Sequence, residues 1–165
     1  MKFIKLSILI GLILTGLTAC EKDEFDGLTD VRPAVPVDVV NATEFRPGAT
    51  VTASRATNNF SIILEIPESS GRTIKEITKV VASSGTSQPL FGTTGLYTAG
   101  PIAGNGRRVT LNTSLTEYAS KPGNVVPANN PPMNAVELAK QFYFLITLDN
   151  NETIITQQVR VLVVP

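Results

Sequence analysis

The stretch that decides the fold is QFYFLITLDNNETIITQQVRVLVV, residues 141–164. Its first half alternates large apolar side chains with others, and the apolar face consists of Phe142, Phe144, Ile146 and Leu148. Residues 149–152 are typical of a tight turn, since Asn and Asp tolerate left-handed backbone. The second half repeats the alternation, with one face made of Ile155, Val159, Val161 and Val163. A period of two predicts two antiparallel strands, and a hairpin of this length needs a larger sheet to be stable.

The same period of two recurs upstream. It predicts further strands at 35–40, 50–54, 60–66, 73–82 and 107–112. Segment 35–40 contains Pro36, and proline is tolerated in an edge strand because that position need not donate a ladder hydrogen bond. The alternation in 73–82 slips between Ile74 and Ile77, which fits either a β-bulge or a helix. The β-branched side chains of this segment favour the strand.

The segments between the strands are irregular, with one helical exception. Two segments are rich in Gly, Ser, Thr, Pro and Asn: 83–106, which is predicted to form short strands or a strand and a loop, and 121–132, which is predicted to be a loop. A helical turn is predicted over 114–120, because Ser114 and Glu117 have the spacing of a capping box. Loops on a rigid scaffold are where binding residues concentrate, so both loops are candidate recognition surfaces.

About seven short strands and no long helical repeat predict an all-β fold. We expect an immunoglobulin-like β-sandwich, with a further short turn at 134–139. Because the chain has one cysteine and no tryptophan, the disulfide and core tryptophan of antibody domains are missing. The immunoglobulin-like assignment therefore depends on strand number and pattern alone.

Cys20, the only cysteine, ends the run Leu17-Thr18-Ala19-Cys20, which follows a basic start and an apolar stretch. That order is typical of a secretory signal peptide. The apolar stretch is shorter than the roughly 20 residues of a transmembrane helix. A secreted protein with a chance cysteine is the alternative, but a lone thiol is a liability in an oxidising compartment and favours acylation. The predicted organisation is a signal peptide at 1–19, a disordered tether at 20–32 and a β-sandwich domain at 33–165.

The run Leu17–Cys20 resembles the lipobox of bacterial lipoproteins, in which the peptide is cut before the cysteine and the cysteine takes the lipid. The sequence Lys22-Asp23-Glu24 resembles the surface-export tag of Bacteroidota lipoproteins. Together with the hairpin at 142–164, these features look like small Bacteroidota surface lipoproteins with an immunoglobulin-like domain. The resemblance implies outer-membrane anchoring through acylated Cys20, with the domain facing the cell exterior. Some members of that group bind glycans beside nutrient importers. The alternative for Lys22, Asp23 and Glu24 is a solvated spacer.

Composition narrows the chemistry of the folded part. Histidine is absent, which removes the commonest general base and the commonest metal ligand. Beyond the signal peptide twelve basic and fourteen acidic residues remain, a net charge of −2, so nucleic acid is not an expected partner. We therefore expect no catalytic residue, no metal and no cofactor. The expected partners are the lipid on Cys20 and a glycan or an outer-membrane protein.

Tyr97 and Tyr118 are the candidate ligand-contact residues, because both lie in or beside loops and could form a stacking platform for a sugar. The alternative is that both rings plug the ends of the core with their hydroxyls in water. The other candidates favour structural roles. Residues 149–152 lack the alternating ligands of a calcium loop. The glutamates at 65, 68, 76, 117 and 137 are scattered single acids that are typical of solvated strand faces. Neighbouring Arg107 and Arg108 would face opposite sides of a strand.

Three functions are compatible with these features. The first is a non-catalytic binding or accessory lipoprotein that uses its loops. The second is a structural or assembly subunit of an outer-membrane complex, which would expose a bare strand edge at 35–40 or 154–164. The third is a hydrolase with two carboxylates across a cleft.

Replacing Cys20 by Ala tests the anchor. Because the thiol is the proposed acylation site, Cys20→Ala should leave the protein unacylated and shift it out of the membrane fraction. The measurement is incorporation of labelled palmitate together with cell fractionation. Label on the Ala variant would contradict the lipobox assignment.

Overall fold

The computed structural model describes residues 33–45, 48–129, 131 and 134–165. The predicted signal peptide and tether, with Cys20, Lys22, Asp23 and Glu24, lie outside the described residues. Within them the chain forms two sheets of a β-sandwich, which confirms the predicted all-β fold. The strands are β1 (Asp38–Val39), β2 (Glu44–Phe45), β3 (Ala49–Ser54), β4 (Asn59–Glu65), β5 (Ile74–Ser83), β6 (Ile102–Ala103), β7 (Arg108–Ser114), β8 (Val136–Glu137), β9 (Gln141–Leu148), β10 (Thr153–Ile155) and β11 (Val159–Val164). One short α-helix, α1 (Leu115–Ser120), follows β7.

The smaller sheet has the order β1-β4-β7. β4 and β7 pair antiparallel along their full lengths, from Asn59 opposite Ser114 to Glu65 opposite Arg108. Their alternating side chains point into the core as predicted, and the buried ones are Phe60, Ile62, Leu64, Val109 and Leu111. β1 is an edge strand, as predicted for 35–40, but it pairs with β4 over only two residues.

The larger sheet runs β2-β3-β11-β9-β5-β6, with β10 paired to β9 and β8 paired to β11. Its neighbouring strands β11, β9 and β5 contribute buried side chains to the same core as β4 and β7. This division of the strands between two sheets agrees with the predicted β-sandwich.

The returning half of the terminal hairpin differs from the prediction of one continuous strand. β10 pairs with β9, whereas β11 pairs with β9 only at Val159 opposite Phe142 and runs parallel to β3, from Val159 opposite Ala49 to Val164 opposite Ser54. The change occurs at Thr156, whose Oγ1 accepts from the Phe144 N–H at 3.2 Å in place of a backbone carbonyl. Before this irregularity the even positions are buried, and after it the odd ones. Ile155 is therefore half-buried on the opposite face, and its assignment to the face of Val159 is wrong.

β9 is buried on both faces. Phe142, Phe144, Ile146 and Leu148 are fully buried in the main core. On the other side Tyr143 is 7% exposed and packs with Val81 and Leu90. Leu90 lies in a short 3-10 turn at Gln88–Phe91. Lys79 holds this turn over the sheet, because its Nζ donates to the Leu90 carbonyl at 3.0 Å and to the Gly92 carbonyl at 2.9 Å.

Two local predictions are confirmed and one is wrong. Segment 73–82 is a strand with register shifts, as a bulge requires. Ser114 caps α1, since its Oγ accepts from the Glu117 N–H at 3.0 Å. The prediction of a turn at 134–139 is wrong, because this segment contains β8. There the Leu138 N–H donates to the Val161 carbonyl at 2.9 Å and the Leu138 side chain is buried.

The β5–β6 contact depends on a glycine. The Gly104 N–H donates to the Lys75 carbonyl at 2.9 Å. A Cβ at position 104 would collide with the Ile74 carbonyl, so a larger residue would force these strands apart. The part of the chain that the structure describes contains no helix of the length and apolarity that a membrane span needs.

The two-sided burial of β9 can be tested with three matched truncations. Phe144→Ala and Tyr143→Ala should each lower the free energy of unfolding by about 3–5 kcal/mol, because each leaves a cavity in packed surroundings. Phe45→Ala is the control, since this ring is 70% exposed, and it should change stability by less than about 0.5 kcal/mol. Denaturant unfolding measures all three. A Tyr143 variant as stable as the Phe45 variant would mean that the second face of β9 is open to water.

Candidate ligand pocket

The two loops that sequence singled out meet around one pocket of about 290 Å³. We call it the loop pocket. One wall comes from the end of β5 and the loop after it, and the other from the loop after α1 and the residue before β9. The lining includes Ser83, Ser84, Leu96, Lys121, Asn124 and Lys140. The sandwich therefore brings together groups that lie more than fifty positions apart in the chain.

Tyr97 forms the floor of the loop pocket but belongs to the core. It is 2% exposed, and its ring meets Phe142 edge to face with centroids 4.9 Å apart. Its hydroxyl lies 2.6 Å from Thr113 Oγ1, which itself donates to Glu117 Oε2 at 2.8 Å. Because the Thr113 proton is used on Glu117, the Tyr97 hydroxyl donates to Thr113. Glu117 thus ends a partly buried hydrogen-bond chain and does not close the reciprocal capping box back to Ser114.

Tyr118 is fully buried on α1, and its ring lies 6.0 Å from that of Phe142. Its hydroxyl accepts from the Lys140 N–H at 3.2 Å. The prediction that Tyr97 and Tyr118 form an exposed stacking platform is wrong, because neither ring has a free face. The core-plug alternative describes them better, although their hydroxyls bond to protein groups and not to water.

Burial also changes the acidity of these two phenols. Desolvation raises the pKa of Tyr97 to about 12, and the nearby Glu117 carboxylate adds to the shift while the Thr113 hydrogen bond opposes it. Desolvation likewise raises the pKa of Tyr118, against the hydrogen bond to the Lys140 backbone. Both rings therefore stay neutral at physiological pH and act as packing groups.

Two lysines bring positive charge to the loop pocket. Lys121 Nζ lies 5.2 Å from the centroid of the Tyr97 ring, a cation–π contact, and 3.7 Å from Glu117 Oε1. Lys140 Nζ donates to the Pro122 carbonyl at 3.2 Å. Each ammonium carries three N–H donors, so these contacts leave donors available.

Gly123 makes room for the second ammonium. Its φ is +70°, and a Cβ there would lie 3.2 Å from Lys140 Nζ. A left-handed backbone and a close side-chain approach both favour glycine at this position. The turn at 121–124 thus holds Lys140 and its neighbours at a fixed spacing.

Asn124 is the unusual group of the loop pocket. It is 8% exposed, and its Nδ2 has no hydrogen-bond partner among the residues that the structure describes. Its backbone N–H donates to the Lys121 carbonyl at 3.1 Å, which fixes the residue in the turn. A buried donor without an acceptor costs about 1–3 kcal/mol. Other atoms of Asn124 line the loop pocket, so a ligand acceptor could satisfy this donor once the side-chain amide turned toward the cavity.

The other candidate groups have partners within the protein. Arg107 and Arg108 both approach Glu65, at 3.9 Å and 2.7 Å, because Arg107 precedes β7 and is not held to strand alternation. Asp149 pairs with Arg72 at 3.1 Å, so the 149–152 turn has a structural role. Among the described residues, no three His, Cys, Asp or Glu side chains gather as a metal site would require.

Sequence reasoning found the loops of the loop pocket but missed its polar residues. Lys121, Asn124 and Lys140 belong to no motif, and their convergence depends on how α1 and β9 pack. The turn signal Pro122-Gly123 between two of them was the only local indication. Comparisons with known protein families, with curated proteins and with solved structures give no match.

The raised pKa of Tyr97 predicts a loss of stability at high pH. A tyrosine in the unfolded chain ionises near pH 10, whereas folded Tyr97 ionises near 12. Between these values the unfolded chain binds fewer protons, so the free energy of unfolding should fall as pH rises from about 10 to about 12. Tyr97→Phe should flatten this slope, and Tyr118→Phe should flatten it further. Denaturant unfolding from pH 9 to 11.5 measures the effect, and an unchanged slope in the double variant would contradict it.

Proposed function

We propose that this chain is a lipid-anchored, non-catalytic binding or accessory protein on the outer surface of the outer membrane. It recognises a glycan or a protein partner through the loop pocket. The observation that carries this proposal is the unpartnered, buried amide of Asn124 between Lys121 and Lys140. Natural proteins pair nearly all buried polar groups, and binding sites are a common place for exceptions.

Sequence motifs support the proposed location of the protein on the outer membrane. The lipobox-like run ending at Cys20 supports lipid anchoring, and Lys22, Asp23 and Glu24 support export to the cell surface. A single acyl chain holds a protein to a membrane only reversibly, and stable anchoring takes two chains or a second signal. Stable anchoring through Cys20 would therefore take more than one acyl chain or a second signal.

The non-catalytic role is supported by chemistry and by the pairing of the acids. The chain has no histidine, and its one cysteine is at the lipid site. The glutamates that could serve a hydrolase have internal partners. Glu65 pairs with Arg108, Glu117 pairs with Lys121, and Glu137 pairs with Arg160 at 3.2 Å. A glycosidase needs two carboxylates across one cleft, whereas each of these three acids has a cationic partner.

An assembly role is the second candidate, and the free edge of β7 favours it. β7 ends the smaller sheet, with β4 as its one partner strand among the described residues. The Ile66 N–H bonds the Arg107 carbonyl and the Leu115 N–H bonds the Asn58 carbonyl, so the odd positions face β4. In an antiparallel pair the even positions, which include Thr110 and Asn112, then point their backbone groups outward. The edges expected from sequence are different: β11 is interior, and β1 is only two residues long.

Photo-crosslinking on intact cells tests the binding proposal. A photoreactive amino acid at Ser84, an exposed residue of the loop pocket, should yield an adduct that a membrane-impermeant protease removes. The same amino acid at exposed Asn150, in the β9–β10 turn, is the matched control and should yield none. The adduct should disappear in the Lys121→Gln/Lys140→Gln variant. A third probe at Thr110 reports on the edge of β7. An adduct that forms equally at Ser84 and Asn150 would contradict the pocket as the recognition site. An adduct that forms only at Thr110 would also contradict it, and would favour assembly through β7.

A further inference from the structure

We infer that the loop pocket binds a carboxylate-bearing sugar, a uronic acid unit of an acidic glycan. This inference depends on the proposed binding function and adds the class of ligand. It begins from the polarity of the groups that line the pocket. The ammonium groups of Lys121 and Lys140 and the amide nitrogen of Asn124 are all donors, and no acidic side chain lines the pocket.

The charges of the lining side chains favour an anionic ligand whose acceptor atoms form a small, planar group. Lys121 is partly neutralised by Glu117 at 3.7 Å, whereas the contact of Lys140 Nζ is with a neutral carbonyl, that of Pro122. The donors therefore carry an excess of positive charge over the one acid beside them. A carboxylate can accept from an ammonium with one oxygen and, once the Asn124 side chain has turned its amide toward the cavity, from that amide with the other, and both bonds are charge-assisted.

The remaining walls suit a sugar ring. Ala82, Pro89 and Leu96 give an apolar surface for ring C–H groups, and the hydroxyls of Ser83 and Ser84 can donate to or accept from ring hydroxyls. The volume of about 290 Å³ lies at the lower end of ligand pockets, roughly 300–1,000 Å³. A pocket of this size is suited to one sugar ring of an oligosaccharide whose neighbouring sugar rings lie outside the pocket. No exposed aromatic ring is needed, which agrees with the burial of Tyr97.

Titration calorimetry of the full chain in detergent tests the ligand class. The probes are trigalacturonic acid, an oligosaccharide that contains glucuronic acid, and the methyl ester of the first, which keeps the ring and removes the charge. We expect at least one acid to bind at least tenfold more tightly than the ester, with affinity that falls as salt is raised. Lys121→Gln and Lys140→Gln should each weaken acid binding roughly ten- to hundredfold, the range expected for a lost charge-assisted hydrogen bond. Lys75→Gln is the matched control, because Lys75 bonds Asn151 beyond the opposite end of β5, and it should bind like the parent.

Asn124→Ala separates a ligand role from a structural one. Removing a buried donor that has no partner should leave the melting temperature unchanged or higher, while acid binding weakens. A lower melting temperature with unchanged binding would overturn the inference, because Asn124 would then be a structural residue. Equal binding of acid and ester, lost together in the Lys140→Gln variant, would overturn the carboxylate class and keep the binding function. Absence of binding by every saccharide would also overturn the inference, and the Ser84 crosslinking result would then decide the proposed function separately.

Discussion

The ring of Phe142 is the contact on which the rest of the sandwich depends. It lies at the start of β9 and meets four other rings, those of Phe60, Tyr97, Tyr118 and Phe144, with centroids between 4.9 and 6.5 Å. These rings come from β4, from the loop after β5, from α1 and from β9 itself. Edge-to-face and offset aromatic pairs add about 0.5–1.5 kcal/mol each beyond the area they bury. One side chain thus connects both sheets, the helix and the longest loop.

The packing of the aromatic rings around Phe142 fixes the geometry of the loop pocket. Tyr97 rests on Phe142 and forms the floor, and Tyr118 rests on Phe142 and holds the backbone of Lys140. The turn that carries Asn124 follows α1 directly, so the packing of the helix also fixes the turn. A site built in this way has rigid supports although most of its residues lie in loops. Rigid support lowers the ordering cost of binding.

The sequence predicted the parts of the fold that depend on local pattern. The alternation in β4, β7 and β9, the bulged β5 and the Ser114 cap each follow from side chains within a few residues of one another. The parallel pairing of β3 with β11 could not be predicted, because nothing in either strand specifies the other. The second buried face of β9 was missed for a related reason: its cover is a 3-10 turn held by a lysine, and a solvated strand face carries similar residues. The loop pocket could be predicted only in part. The composition of its loops marked them as candidate recognition surfaces, but no sequence pattern marked Lys121, Asn124 and Lys140 as its donors.

The pairing of β3 with β11 has a consequence for how the chain acquires its structure. Ser54 at the end of β3 donates from Oγ to the carbonyl of the last residue, Pro165, across 111 positions at 2.8 Å. Contacts between such distant positions raise contact order, and sandwiches of high contact order fold in milliseconds to seconds. The larger sheet cannot be completed until β11 has been synthesised, because β11 lies between β3 and β9. A nascent chain without β11 therefore leaves β3 without its parallel partner, although β3 itself was made more than a hundred positions earlier.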